Sequence, residues 1–199
     1  FTDDASRAAL AAALEASAGD LRRITLRDCA MEDDGVRAVC KVLAATAVGL
    51  ERLDLSGNDA TPQAMPAVAL AVKYKSRLSY LALEDNAVKS AGAAVLAAAL
   101  DPERHAALET VVLAGSEIGS AGAMAVARAV AGLPAFKMLN MSGNEITEDT
   151  VAEITELLGE ERVNLEDNDG DEEDDEDEEI EEDPELNELS EMLATKAKV

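Results

Sequence analysis

The side chains that could do chemistry in this sequence are few: one histidine, two cysteines and a dense run of carboxylates. His105 lies in Asp101-Pro102-Glu103-Arg104-His105, which reads as a solvated loop between a helix and a strand. Nucleophilic catalysis needs its histidine in a cleft beside a Ser or Cys, so no catalytic residue is assigned. Zinc needs clustered Cys and His. Cys29 and Cys40 with a single His are too few, and no metal site is assigned. Two cysteines do not make a disulfide framework, and reduced thiols in a cytosolic or nuclear protein are expected. Asp167-Asn168-Asp169-Gly170-Asp171 opens with the spacing of a calcium loop. The EF-hand register then wants Gly at Glu172 and an apolar residue at Asp174, and both fail. No glycine-rich phosphate loop followed by Lys occurs, and no cofactor is expected.

Charge narrows the choice of partner. The chain has 199 residues, with 17 basic against 42 acidic side chains, a net of -25. That sign argues against bare phosphate backbones and anionic membranes as partners. Aromatics make up only 2%, too few for base stacking, so no nucleic-acid partner is expected. No apolar run approaches a membrane span, so no membrane insertion is expected. Residues 166–185 hold 16 acids and no base, leaving 26 acids against 17 bases elsewhere. The chain therefore reads as a mildly acidic globule followed by a polyanion.

An internal repeat positions everything else. The pattern L-x-x-L-x-L-x-x-(N/C/S)-x-apolar fits Leu21 to Met31, Leu50 to Ala60, Leu78 to Val88, Leu108 to Ile118 and Phe136 to Ile146. The starts lie 29, 28, 30 and 28 residues apart. The L-x-L core alternates with period two, which predicts a short strand with its leucines inward. Cys29, Asn58, Asn86, Ser116 and Asn144 sit where the chain leaves each strand. Their polar groups can bond the backbone of neighbouring turns, making them structural ladder residues. Thr2, Thr61, Ser90, Ser120 and Thr147 stand where helix N-caps belong. The fold class is an α/β solenoid with parallel strands on the concave side and Ala-rich helices on the convex side.

The predicted boundaries follow. Residues 1–165 form the solenoid, with a partial first repeat at 1–20 and five repeats from 21. Residues 166–185 form a disordered acidic tail, because like charge with almost no apolar residue cannot offset its ordering entropy. Residues 186–199 form a short C-terminal helix or tail, with Leu186, Leu189 and Leu193 on one helical face. Arg162 to Leu165 is expected to add a short closing strand. Because the chain starts at Phe1 without Met and its first repeat lacks a strand, a fragment or processed product is expected.

Residues between the leucines point out of the core. Arg23, Thr25 and Arg27 form one row; Arg52, Asp54 and Ser56 the next; Tyr80, Ala82 and Glu84 the third. Rows about 4.8 Å apart put Arg23, Arg27 and Arg52 in one patch. This makes Arg23, Arg27, Arg52, Asp54, Tyr80 and Glu84 the candidate partner-binding residues. Two readings stand: docking of an acidic partner or the tail, or ordinary pairing with Asp28, Asp54 and Glu84.

Repeats of 28 to 30 residues with full helices look like the ribonuclease-inhibitor class of leucine-rich repeats. Phe136-Lys137-Met138-Leu139-Asn140-Met141-Ser142-Gly143-Asn144-Glu145-Ile146 resembles the last repeat of plant-type Ran GTPase-activating proteins. Leu165-Glu166-Asp167-Asn168-Asp169 followed by acids resembles their junction to an acidic tail, and Asn187-Glu188-Leu189 resembles that tail. Leu53-Asp54-Leu55-Ser56-Gly57-Asn58-Asp59-Ala60-Thr61 resembles a middle repeat. The similarity covers essentially the whole chain and would correspond to the C-terminal half of such a protein.

The resemblance implies a function. The chain would contribute to GTP hydrolysis by Ran, with Ran in its GTP form as partner, in nucleocytoplasmic transport. It would sit in the cytoplasm, with the nuclear envelope as a second location, and would be a regulatory protein rather than an enzyme. In that family the solenoid rim contacts Ran and no arginine finger is supplied. The family's functional asparagine lies in an Asn-Asn turn, which no repeat here has, so no catalytic role passes to Asn58, Asn86 or Asn144. The tail would contact basic transport factors. The alternative is a non-catalytic interaction module whose acidic tail binds basic proteins such as histones or transport receptors.

Overall fold

The computed structural model describes residues 3–17, 19–171 and 179–196. Phe1, the expected cap Thr2 and residues 172–178 of the acidic run lie outside the described residues. The order is α1 (Asp4–Ser17), β1 (Arg23–Thr25), α2 (Glu32–Thr46), β2 (Arg52–Asp54), a 3-10 turn (Pro62–Ala64) leading into α3 (Met65–Lys73), β3 (Tyr80–Ala82), α4 (Lys89–Ala99), β4 (Thr110–Val112), α5 (Ser120–Ala131), β5 (Met138–Asn140) and α6 (Glu148–Leu158). A second 3-10 turn (Glu160–Arg162), β6 (Val163–Asn164) and α7 (Pro184–Lys196) follow.

The six strands make one parallel sheet in sequence order, β1 to β6. Ile24, Leu53, Leu81, Val111, Leu139 and Val163 align across it. Each repeat contributes one strand at about 4.8 Å spacing and one helix at about 8–10 Å spacing. The two spacings fit together only if the stack curves with the sheet inside, which makes the strand face concave. Leu53, Leu55, Leu81, Leu83, Leu113 and Leu139 are buried between sheet and helices. Burial of each such leucine contributes about 1.5–3 kcal/mol. The expected closing strand is β6.

The turn after each strand has a shared backbone shape. Asp28, Gly57, Asp85, Gly115, Gly143 and Asp167 all have φ between 51° and 67°. Each immediately precedes a ladder position, so the left-handed kink is what swings the ladder side chain inward. Gly and Asp are among the residues that tolerate this region. At Gly57 and Gly115 a side chain would also run into Asp28 and Asp85 of the preceding repeat. An aspartate in one turn therefore needs a glycine in the next.

The predicted caps divide into two kinds. Thr61 accepts from the Gln63 N–H and Thr147 from the Thr150 N–H, as expected of N-caps. Ser90 and Ser120 do not cap: α4 starts at Lys89, and Ser120 is the first residue of α5. Their hydroxyls instead reach the next repeat. Ser90 Oγ accepts from the Gly119 N–H at 3.0 Å and Ser120 Oγ from the Thr147 N–H at 3.1 Å. Asp33 does the same, with its carboxylate accepting the Thr61 N–H and hydroxyl at 2.8 and 2.7 Å.

His105 corrects the reading of a solvated loop residue. It is fully buried. Its Nδ1 accepts from the Asp101 N–H at 2.9 Å, leaving Nε2 to donate to the Val72 carbonyl at 3.1 Å. The ring closes its own loop and satisfies a carbonyl at the end of α3. Loop sequence showed a polar residue in a polar context; the packing of that loop onto α3 is a tertiary event. Cys40 is also buried, and burial pushes its thiol up to about 12. Among the described residues no helix is long and apolar enough to cross a membrane.

Lys75 is 2% exposed, with its ammonium donating to the Ala44 carbonyl at 3.3 Å near the end of α2. Burial lowers its pKa from 10.5 to about 8. The folded state thus releases a proton that the unfolded chain keeps, so stability rises with pH between about 8 and 10.5. Relative to Lys75→Met, the wild type should gain on the order of 2 kcal/mol across that window. Chemical denaturation at pH 7.5 and pH 10 checks this; equal gains in both proteins would remove Lys75 as the cause.

Candidate functional site

Two sets of side chains occupy the strand face and its turns, and the fold uses them differently. The ladder set is internal. The Asn58 side-chain NH2 donates to the carbonyls of Leu26, Leu55 and Ser56, at 2.7, 2.8 and 3.1 Å, while its carbonyl accepts the Cys29 N–H at 3.1 Å. Asn86 donates to Leu55, Leu83 and Glu84 and accepts from Asn58 and Ala60. Asn144 donates to Leu113, Met141 and Ser142 and accepts from Ser116 and Ile118. Ser116 reaches only the Leu83 and Ala114 carbonyls, both at 3.2 Å. Cys29 is the weakest rung, its thiol reaching the Arg27 carbonyl.

The ladder has one member that sequence reading missed. Asn168 accepts from the Asn144 N–H at 2.8 Å and donates to the Leu165 carbonyl at 2.7 Å. The signal was present as Val163-x-Leu165-x-x-Asn168, the same spacing as in the earlier repeats. Its place inside an acidic run hid it. Glu166 belongs to the same turn, its carbonyl accepting from Gly143.

The strand-face set is brought together by register. Arg23, Arg52 and Tyr80 stand side by side in one row of the sheet, and Thr25, Asp54 and Ala82 in the next. Arg27 reaches across a whole strand to bond Glu84 at 2.8 Å and lies 3.7 Å from Asp54. The Glu84 hydrogen bond holds the Arg27 guanidinium above its ordinary range. Arg52 lies 3.6 Å from the same Asp54 carboxylate, with its guanidinium 3.4 Å from the centre of the Tyr80 ring. Asp54 is 2% exposed beneath the two arginines and also accepts from the Ser56 N–H and hydroxyl. Arg23 is exposed and forms no ion pair among the described residues.

Of the two readings of this surface, the pairing with Asp54 and Glu84 is the one the geometry contains; Asp28 forms no ion pair in it. Pairing does not remove the surface from use. Three guanidiniums and two carboxylates leave the patch net positive on a chain of net charge -25. Arg23, the outer faces of Arg27 and Arg52, and Tyr80 remain accessible for a partner carboxylate. Asp54 lies between two of these arginines and holds them in place. Beyond Tyr80 the face continues through Thr110, Val112, Met138 and Asn140 without charge. Among the described residues no group of three or more His, Cys, Asp and Glu is placed to hold a metal.

No family model matches the chain. Over 127 residues, 64% of the chain, it is 38% identical to RAN GTPase-activating protein 2 of Arabidopsis thaliana, a stretch spanning 23% of that relative's length. Over 146 residues, 73% of the chain, it is 27% identical to human NACHT, LRR and PYD domains-containing protein 13, covering 14% of it. The chain thus spans about a quarter or less of either relative. The tropomodulin C-terminal domain of Caenorhabditis elegans matches with a TM-score of 0.62 at 12% identity, covering 76% of this chain and 90% of that one. That match concerns the fold alone: a leucine-rich-repeat α/β solenoid. The resemblance of this sequence to plant Ran GTPase-activating proteins holds over nearly two thirds of its length.

The patch makes a prediction about itself. Asp54→Asn keeps an acceptor for Ser56 but leaves two guanidiniums without their shared carboxylate, at a cost of about 1–2 kcal/mol. In an Arg27→Gln, Arg52→Gln background that cost should fall by at least half. Urea denaturation of the four proteins measures the coupling; an undiminished cost would show that Asp54 does not hold the arginines.

Proposed function

We propose that this chain is the C-terminal part of a GTPase activator of Ran, acting by protein–protein contact in nucleocytoplasmic transport. The single observation that supports it most is the 38% identity over 127 residues to the Arabidopsis activator. The solenoid fits a role in presenting a rigid face rather than in housing a reaction. Arg23, Arg27, Arg52, Tyr80 and Glu84 are its contact residues for Ran in the GTP form, with Asp54 beneath them holding two of the arginines. Arginines held in register by a buried carboxylate, with a tyrosine ring alongside, are the kind of group that concentrates binding energy at an interface.

In this reading the chain is a regulator and not an enzyme with its own catalytic site. Asn58, Asn86 and Asn144 spend their donors and acceptors inside the turns, so none of them reaches toward a partner's nucleotide. The catalytic determinant then belongs to repeats outside this chain. The acidic run recruits basic transport factors, and the protein works in the cytoplasm and at the nuclear envelope.

Single-turnover GTP hydrolysis by Ran with this chain added, beside a pull-down on Ran-GTP, tests the proposal. The expected outcome is binding with little or no stimulation. Alanine replacement of Arg23 and Tyr80 should then weaken binding by at least fivefold. Stimulation would place a catalytic group within these repeats and overturn the internal role given to the asparagines. Neither binding nor stimulation by a folded chain would overturn the Ran reading and favour an interaction module for basic proteins.

A further inference from the structure

The C-terminal helix does not stand free. α7 packs on the convex side against α2 and α3, opposite the strand face. Leu186 and Leu193 are buried to 7% and 9% exposure, and Leu189 joins the same core. Asp183 caps the helix, its carboxylate accepting the Glu185 and Leu186 N–H groups at 3.1 Å each. The same carboxylate meets the Lys41 ammonium of α2 at 2.9 Å, and Glu185 meets it at 3.0 Å. Just upstream, the Gln63 amide donates to the Glu179 carbonyl and accepts from the Glu181 N–H, at 2.9 and 2.8 Å. This is specific recognition of a short acidic lead-in followed by leucines at the first, fourth and eighth positions.

The fit is nevertheless loose. An open groove of about 270 Å³ runs beside α7 where Leu186 and Ser190 face Pro66, Leu70 and Val95. A second, of about 250 Å³, lies between Leu193 and Val48, Tyr74 and Lys75. A helix of 13 residues is marginal by itself in water. Three leucines and one shared cation hold it, and its place on the same chain makes its docking intramolecular. An incoming helix with better side chains for those grooves competes on favourable terms.

We propose that the convex face of α2 and α3 is a helix-docking groove, and that α7 is its own displaceable occupant. The partner it fits is an amphipathic helix with an acidic N-cap residue and leucines in the order Asp-x-x-Leu-x-x-Leu-x-x-x-Leu. Lys41 reads the acidic start, Gln63 pairs with the extended lead-in backbone, and the apolar slot between α2 and α3 takes the leucines. Leu193 and Lys75 line the same pocket, so release of α7 widens the opening to Lys75. The groove lies on the far side of the sheet from the arginine patch, so the two surfaces can be occupied together.

The test uses the full chain and a fluorescent peptide with the sequence of residues 179–196. Leu186→Asp with Leu193→Asp should detach α7 in cis and leave the groove intact. Fluorescence anisotropy should show the peptide binding that variant at least tenfold more tightly than the wild type. Lys41→Glu added to the variant should weaken binding at least fivefold. Lys75 in the variant should be acetylated by N-hydroxysuccinimidyl acetate several-fold faster than in the wild type, and excess peptide should restore the slow rate. Circular dichroism checks that the repeats remain folded. A folded variant that binds the peptide no better than the wild type, or labels Lys75 no faster, overturns the proposal.

Discussion

Every repeat must bury a sharp turn at the end of its strand, and a buried turn carries carbonyls and N–H groups that water cannot reach. The asparagine ladder answers that constraint. One side-chain amide supplies donors to carbonyls in its own turn and in the turn before, and its oxygen takes N–H groups from the preceding repeat. A left-handed residue must stand just before each ladder position to aim it inward, which explains why only Asp or Gly stands there from Asp28 to Asp167. Where the ladder residue is Ser116, fewer bonds are made, so the third and fourth repeats are joined more weakly at this level than their neighbours.

The rigidity of that spine is what gives the strand face its meaning. Strands of three residues are too short to hold a register alone, yet Arg23, Arg52 and Tyr80 fall into one row. Asp54 can then sit at 2% exposure between two arginines because the adjacent rows hold them on either side of it. A surface built in this way presents charge without collapsing it, and it suits recognition of another protein more than chemistry on a small molecule.

The convex side obeys a looser rule. Its helices meet through alanines and glycines, and hydroxyls such as Ser90 and Ser120 stitch one repeat to the next. Small side chains leave shallow grooves between helices, and α7 lies in one of them. Lys41 and Gln63 take side-chain partners from α7 and the segment leading into it, whereas Lys75 already bonds the Ala44 carbonyl of α2. Lys41 gains an ion pair, Gln63 gains backbone bonds, and Leu193 of α7 lines the same pocket as Lys75.

The repeat, its strand and helix order, the inward leucines and five of the six ladder positions were legible in the sequence, because each follows from local spacing that recurs every 28 to 30 residues. The six patch residues were legible too, since period-two alternation and a parallel register place them without further information. Asn168 carried the same signal but stood in an acidic context that masked it. What only the tertiary structure decided lies where distant segments meet. His105 looks solvated until its loop folds onto the end of α3, and Ser90 and Ser120 look like caps until the next repeat offers them N–H groups. Lys75 is an ordinary lysine until it is buried against the end of α2. Periodic contacts are set by neighbours in sequence, and local pattern therefore encodes them. The burial of a polar side chain depends on which remote surface arrives above it, and no spacing rule within a single repeat carries that information.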